Sequence, residues 1–279
     1  MPITSDRQSI IRYNRDTFYS AGVFDLTSPV TITKPDAGGR FQSMVVINED
    51  HYIKLVAYDA GEFTLTQEKM GTRYVQVVFR TLVNPDDPAD VKAANALQDK
   101  IGIKQKTSGV FQVPNWDQAS ETKLRNAILV LGATVPDSDK MFGDVNETEP
   151  IRHLIGTAGG FGGNAREDAI YLNVNPEKND GQTPYALTVK DVPVDGFWSV
   201  SVYNAAGFFA KNDLGIYSFN NLTARKNADG SYTIHFGGDP KATNYLPITP
   251  GWNYTVRLYR ARKKVLDGSW KFPRAQPVG

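Results

Sequence analysis

The 279-residue chain contains no cysteine. That excludes disulfides, thiolate zinc sites, iron–sulfur clusters and thiol catalysis together. It is also short of net charge: 31 Lys and Arg stand against 30 Asp and Glu, a formal +1. Such a balance supplies no strong field for nucleic acid or an anionic membrane surface, so neither is expected as a partner. No apolar run approaches the roughly 20 residues of a membrane span. The longest, Ala127 to Ala133, falls inside a helical pattern. Met1 to Ile10 is polar and has neither the charged nor the apolar part of a signal peptide. As written, the chain reads as cytoplasmic; a removed leader would make it periplasmic or secreted.

Hydrophobic residues make up 41% and charged residues 22%, the composition of a globular chain long enough for one large or two ordinary domains. From Arg12 to Val83 the pattern is strand after strand. Val30 to Thr33 alternates apolar and polar, Phe41 to Ile47 is β-branched and apolar, and Tyr52 to Tyr58, Phe63 to Thr66 and Arg73 to Val83 follow. Turn residues separate them, as in Pro35-Asp36-Ala37-Gly38-Gly39. The period then changes. Asp87-Pro88 reads as a cap with proline at the first helical position, and Val91, Ala94, Leu97 and Ile101 recur at helical spacing. A second helix is expected from Asn115, with Gln118 three residues on and Leu124, Ala127, Ile128 and Leu131 as its stripe. Pro136 to Gly163 reads as loop, and its glycine run as a connection. Five strands follow, at 169–174, 185–189, 197–203, 232–236 and 254–259. The expected fold is mainly β: two β-sandwich or jelly-roll-like units, residues 1–86 and 166–279, with a helical and loop segment over 87–165.

Several blocks are distinctive together. They are Asn14-Arg15-Asp16-Thr17-Phe18-Tyr19-Ser20, Val194-Asp195-Gly196-Phe197-Trp198-Ser199-Val200, Tyr203-Asn204, Leu246-Pro247-Ile248, Gly251-Trp252-Asn253-Tyr254 and Arg257-Leu258-Tyr259. In this order they resemble the bacterial family that pairs domain of unknown function 1254 with domain of unknown function 1214. The first half resembles the former domain, and residues from about Arg166 onward the latter. The resemblance implies two stacked β units, often an oligomer, and no settled activity; some members carry a carboxylesterase label. Members usually have further residues, including a helix, before the Asn-Arg-Asp motif. The chain therefore resembles a short or trimmed member, with an apolar patch expected at that edge, open or covered by a second copy.

For chemistry, the bases are few: His51, His153 and His235. Gly-x-Ser-x-Gly is absent, as are His-Glu-x-x-His and a calcium loop. His51 beside Glu49 and Asp50 is the one local histidine–carboxylate group, and adjacent strand residues point to opposite faces, so no metal or cofactor is expected. The glycine run 156–163 lacks a phosphate loop's Lys-Ser/Thr ending. Around Asn14 to Ser20, alternation puts Asn14 and Asp16 on one face and Arg15, Thr17 and Tyr19 on the other. One face must be satisfied inside the fold, and Asp16 is the expected buried group, with Asp16→Asn costing about 1–3 kcal/mol. Tyr254, Val256 and Leu258 read as core, whereas Asn253, Thr255, Arg257 and Tyr259 share the opposite face. The candidate site comprises Asp16 or His51 as acid–base group, Arg15 as anion holder, and Tyr19, Trp198, Tyr203, Trp252 and Arg257 as binding residues. Arg15, Asp16 and Tyr19 are expected to come near His51 at the edge of the N-terminal sheet. Two readings stand. One is a hydrolase of a small ester or saccharide-like substrate in a cleft between the β units. The other is a non-catalytic ligand-binding or homo-oligomeric assembly protein. Whether the protein is an enzyme stays open at this point.

Overall fold

A computed structural model describes Gln8 and residues 11–135 and 137–278. Apart from Gln8, the polar stretch Met1 to Ile10 lies outside these residues, as does Pro136. The chain is mainly β and divides into two compact units: a first of Phe18–Leu82 and Ala89–Arg166, and a second of Met1–Thr17, Val83–Pro88 and Glu167–Gly279.

The first unit contains β1 (Thr17–Asp25), β2 (Val30–Lys34), β3 (Gln42–Asn48), β4 (Ile53–Ala57), β5 (Gly61–Leu65), α1 (Gln67–Met70), β6 (Tyr74–Leu82), α2 (Pro88–Gln98), β7 (Gly102–Gln105), α3 (Gln118–Gly132) and α4 (Pro150–Gly159). Its sheets run β1-β6-β3-β4 and β5-β2-β7. Met44, Val46, Val75, Val77 and Phe79 of the larger sheet pack with Val30, Ile32 and Leu65 of the smaller. The alternate residues of β3, Val45 and Ile47, pack on its other side with Ile53 and Ala165. A strand covered on both faces needs no polar alternation, which accounts for the unbroken apolar run there.

The helices depart from the sequence reading: the short α1 was not expected, nor was a short helix at Lys263–Leu266, and two longer ones differ as follows. α3 starts at Gln118, not after Asn115, because the Asp117 side chain caps it by accepting the Ala119 N–H at 3.0 Å. The stretch 136–163, read as loop, contains α4. Glu149 caps it through the Arg152 N–H at 2.9 Å, and Pro150 occupies its first turn. Its glycines serve close packing: a Cβ on Gly156 would lie 2.7 Å from the Met141 Cβ.

The second unit contains β8 (Ala169–Val174), β9 (Tyr185–Val189), β10 (Trp198–Tyr203), β11 (Ser218–Asn220), β12 (Tyr232–Phe236), β13 (Tyr245–Leu246), β14 (Asn253–Tyr259), α5 (Lys263–Leu266) and β15 (Gln276–Pro277). The sheets run β11-β10-β14-β8 and β13-β12-β9-β15. Val200, Val202, Val256 and Leu258 of the first sheet meet Leu187, Val189, Ile234 and Phe236 of the second in one core. Antiparallel pairing puts Ser199 opposite Arg257 and Ser201 opposite Thr255, so the outer face of β10 and β14 is polar. Yet every residue of both strands is buried.

Leu258 is fully buried and Leu131 is half exposed. Leu258→Ala is expected to cost about 2–5 kcal/mol, a cavity in a packed core. Leu131→Ala is expected to stay within about 0.5 kcal/mol. Urea unfolding of both variants checks the assignment of core and surface.

Candidate functional site

The polar face of β10 and β14 is covered by the segment that precedes β1. Arg257 sits at its centre, buried, and among the described residues no carboxylate lies at ion-pair distance from it. Its Nη1 donates to Ser201 Oγ at 2.9 Å, and its Nη2 donates to the Arg12 carbonyl and to the Tyr203 hydroxyl, each at 2.7 Å. Tyr203 passes its own proton to the Tyr13 carbonyl at 2.7 Å. Asn14 donates to the Tyr259 hydroxyl at 3.0 Å, and Arg12 Nη2 donates to Asn253 Oδ1 at 3.2 Å. Burial raises the Tyr203 pKa, keeping this hydroxyl protonated as the relay requires.

Asp16 ends the covering segment. Its Oδ1 accepts from Asn220 Nδ2 at 3.0 Å and from Ser218 Oγ at 3.4 Å. Burial raises its pKa, against the charge of Arg257 and the hydroxyl and amide groups of Ser199, Asn220 and Ser218. Asp16 Oδ2 and Ser199 Oγ are both buried without a well-formed hydrogen bond among the described residues.

The first unit holds His51 and His153. His51 has φ +65, at the end of the turn in which its N–H donates to the Asn48 carbonyl at 3.0 Å. Its Nε2 accepts the Gly162 N–H at 2.9 Å, so the neutral ring carries its proton on Nδ1, facing Thr157 Oγ1 at 3.4 Å. Burial, and then the neighbouring His153, push the His51 pKa down to about 4. His153 lies between the carbonyls of Met141 and Asp50, at 2.9 and 3.0 Å, and stacks on Tyr52. Arg80 donates to the Gly162 carbonyl at 2.6 Å and lies over the Tyr19 ring at 5.5 Å.

Residues 1–105 match the family described as Protein of unknown function (DUF1254), and residues 169–263 match Protein of unknown function (DUF1214). The chain belongs to the family that joins these two domains. Its fold is similar to the crystal structure of the VPA0106 protein from Vibrio parahaemolyticus. That likeness has a TM-score of 0.77 at 19% identity, covering 96% of this chain and 90% of that one. A putative uncharacterized protein from Burkholderia cenocepacia is also similar, with a TM-score of 0.58 at 14% identity, covering 96% and 78%. Among curated proteins none matches. At these identities the likeness speaks for the fold alone.

In this DUF1254–DUF1214 chain, Asp16, Tyr203 and Arg257 come together in the second unit, with Arg15 in the same covering segment. Tyr19 and His51 belong to the first unit, where Arg80 and Gly162 link them. Trp198 and Trp252 lie on the sandwich side of the sheet: Trp198 packs edge-on to Tyr232, and Trp252 packs with Tyr185, Phe236 and Tyr254. Sequence reasoning missed Ser199, Ser201, Ser218 and Asn220 as partners. Ser199 and Ser201 alternate with Trp198, Val200 and Val202, so their face was readable; no sequence signal paired β11 with Asp16. Among the described residues no group of three or more metal-ligating side chains is assembled, and no helix is long and apolar enough to cross a membrane.

The geometry changes the expectation for Asp16→Asn. An amide removes the charge that burial disfavours and keeps an oxygen to accept from Asn220 and Ser218, so Asp16→Asn should hold stability within about 1 kcal/mol. Asp16→Leu should cost about 1–3 kcal/mol by stranding Asn220 and Ser218. Because its folded pKa is raised, Asp16 favours the fold fully below its unfolded value. It loses that contribution as pH rises through the folded value. Urea titrations of the three proteins at several pH values check both points.

His51 has the opposite sign. Its depressed pKa favours the fold fully above the unfolded value of about 6.5, and that contribution is lost as pH falls toward about 4. The thermal midpoint should therefore drop on acidification over this window. His51→Asn should flatten the drop, because Asn tolerates the left-handed backbone and can accept the Gly162 N–H. Thermal unfolding of both proteins from pH 7 to 4 reads the difference.

Proposed function

We propose that the chain is a non-catalytic binding and assembly protein whose copies meet on the apolar face of α3. The observation that carries this reading is α3 itself. It has 15 residues and none is buried. Leu124, Val130 and Leu131 are exposed, and the extended segment before the helix exposes Phe111, Val113 and Trp116. Between Val110 and Phe161, eleven large apolar side chains among the described residues are at least half exposed. Surfaces of this kind mark association sites. A standard interface takes roughly 800 Å² from each partner, and this many large side chains supply area of that order.

Several features favour a second copy as the occupant. With a formal charge of +1, copies do not repel one another at a distance. The flank of α3 carries both signs in Glu121, Lys123 and Arg125, which suits an interface that must complement itself. The segment before the helix is held for display. Tyr74 donates to the Val110 carbonyl at 2.7 Å and accepts the Gln112 N–H at 3.0 Å. The Asp25 carboxylate, paired with Arg73, accepts the Val110 N–H at 3.2 Å. Arg73 and the Thr27 backbone hold the Asp25 pKa well below the usual carboxylate range.

A hydrolase would need Asp16 or His51 to reach a substrate. Both are buried and committed to internal bonds, which favours the non-catalytic reading. Light scattering should give a mass that is a multiple of 30.8 kDa. The double variant Leu124→Glu/Leu131→Glu should run as a monomer with an unchanged circular dichroism spectrum. A wild-type monomer at about 100 μM, well above the Kd of a stable interface of this size, would sink the reading.

A further inference from the structure

The sheets of the first unit end in β1, β4, β5 and β7. An edge strand is a template for another strand, and natural edges are protected by charges, proline or bulges. β4 carries Lys54, β5 carries Glu62 and β7 carries Lys104. Lys54 pairs with Asp144 at 2.7 Å, and Lys104 with Glu62 at 3.1 Å. β1 has no such device: from Thr17 to Phe24 it holds neither a charge nor a proline. Its exposed residues are Tyr19, Ala21 and Val23, with Val23 half exposed.

The pairing with β6 fixes which main-chain groups face outward. The Leu26 N–H donates to the Arg73 carbonyl at 2.7 Å. Seven residues back along β1, Tyr19 lies beside the Arg80 guanidinium, seven residues on along β6. The two strands therefore run antiparallel, with no bulge between these points. In such a ladder alternate residues bond across. Counting back from Leu26, Phe24, Gly22, Ser20 and Phe18 turn their main-chain groups to β6, and Val23, Ala21 and Tyr19 turn theirs to the edge. Among the described residues no strand pairs on that side. Gln105 closes the Asp25 carbonyl at the strand's end, at 2.7 Å, and Gln98 takes only the Ser20 hydroxyl. The outward main chain and the exposed side chains thus belong to the same three residues.

The strand is also its own complement. About Ala21, Phe18 mirrors Phe24, Tyr19 mirrors Val23, and Ser20 mirrors Gly22. A two-fold axis at Ala21 places Tyr19 opposite the partner's Val23, and Val23 opposite the partner's Tyr19. An aromatic against a β-branched side chain is a favourable cross-strand pair, and no charge meets its like. We propose that β1 pairs antiparallel with β1 of a second copy, about a two-fold axis at Ala21. The contact is short, and it rests on the α3 reading for bringing copies together. Each α3 pair presents two β1 edges, so two pairs join through both edges at once.

Light scattering and cross-linking of the full chain test this. Wild type should have four times the mass of 30.8 kDa. Val23→Lys, which charges the edge, and Ala21→Pro, which removes an outward N–H, should each halve that mass. Both should keep the circular dichroism spectrum, and Val23→Lys should hold the thermal midpoint within a few degrees. Leu124→Glu/Leu131→Glu should be a monomer, the strand contact being too small to act alone. Because the chain has no cysteine, Ala21→Cys carries a single thiol, which a short bis-maleimide should link to its mate. Thr27→Cys should not link, since the pairing sets its mate about 40 Å away at 3.4 Å per residue. A wild-type dimer with no Ala21→Cys linkage would overturn the strand contact and leave the α3 reading standing. Equal linkage of the two cysteine variants, or an unchanged mass for Val23→Lys and Ala21→Pro, would also overturn it. Ala21→Cys linkage that persists in a dimeric Leu124→Glu/Leu131→Glu background would support the strand contact and remove the α3 reading instead.

Discussion

A guanidinium buried against a β-sheet has to find oxygens, and the second unit is arranged around that need at Arg257. Moving a charge out of water costs several kcal/mol unless hydrogen bonds replace its hydration. Among the described residues no carboxylate pairs with it. The replacements are the carbonyls of Arg12 and Tyr13 and the hydroxyls of Ser201 and Tyr203. Two of the four belong to the segment before β1, so that segment cannot leave without stranding the charge. The same requirement explains why β10 and β14 are buried on both faces although one face is polar. The apolar face closes the sandwich by hydrophobic burial, and the polar face closes the segment by directed bonds.

Asp16 follows from this arrangement. It is close enough to Arg257 to feel its charge, yet burial wins and raises its pKa. A carboxyl of this kind acts as a structural acceptor for Asn220 and Ser218. In the first unit, His51 is a parallel case with opposite sign: burial removes its charge, and its Nε2 becomes a fixed acceptor for Gly162. In both units the groups most suggestive of acid–base chemistry are spent on holding backbone and side chains in place. What remains outward is different in kind, namely the apolar side chains of α3.

Much of the fold was legible in the chain. The strands at 169–174, 185–189 and 232–236 coincide with β8, β9 and β12, because alternation and turn residues bound them tightly. The division of β14 into a Tyr254–Val256–Leu258 face and an Asn253–Thr255–Arg257–Tyr259 face was readable from its period of two. α4 was not, since its glycines imitate a loop; their role appears only when Met141 is seen against Gly156. Trp198 and Trp252 looked like ligand-binding aromatics because composition does not say which face of a sheet is covered. The exposure of α3 was equally hidden, because its stripe of Leu124, Ala127, Ile128 and Leu131 has the same spacing as one that packs on a core.

Local periodicity and turn chemistry thus determined, from the sequence by itself, that this is a mainly β protein with helix between its strands. They also determined which residues share a face. What lies against each face is a contact between residues some 200 positions apart, such as Asp16 with Asn220 or Tyr13 with Tyr203. No local signal encodes such a pairing, because the bonds exist only once both sheets have formed. The tertiary structure decided that Asp16 and His51 turn inward and that α3 is exposed. The physical reason is that a side chain's protonation and availability depend on the atoms around it, and these come from elsewhere in the chain.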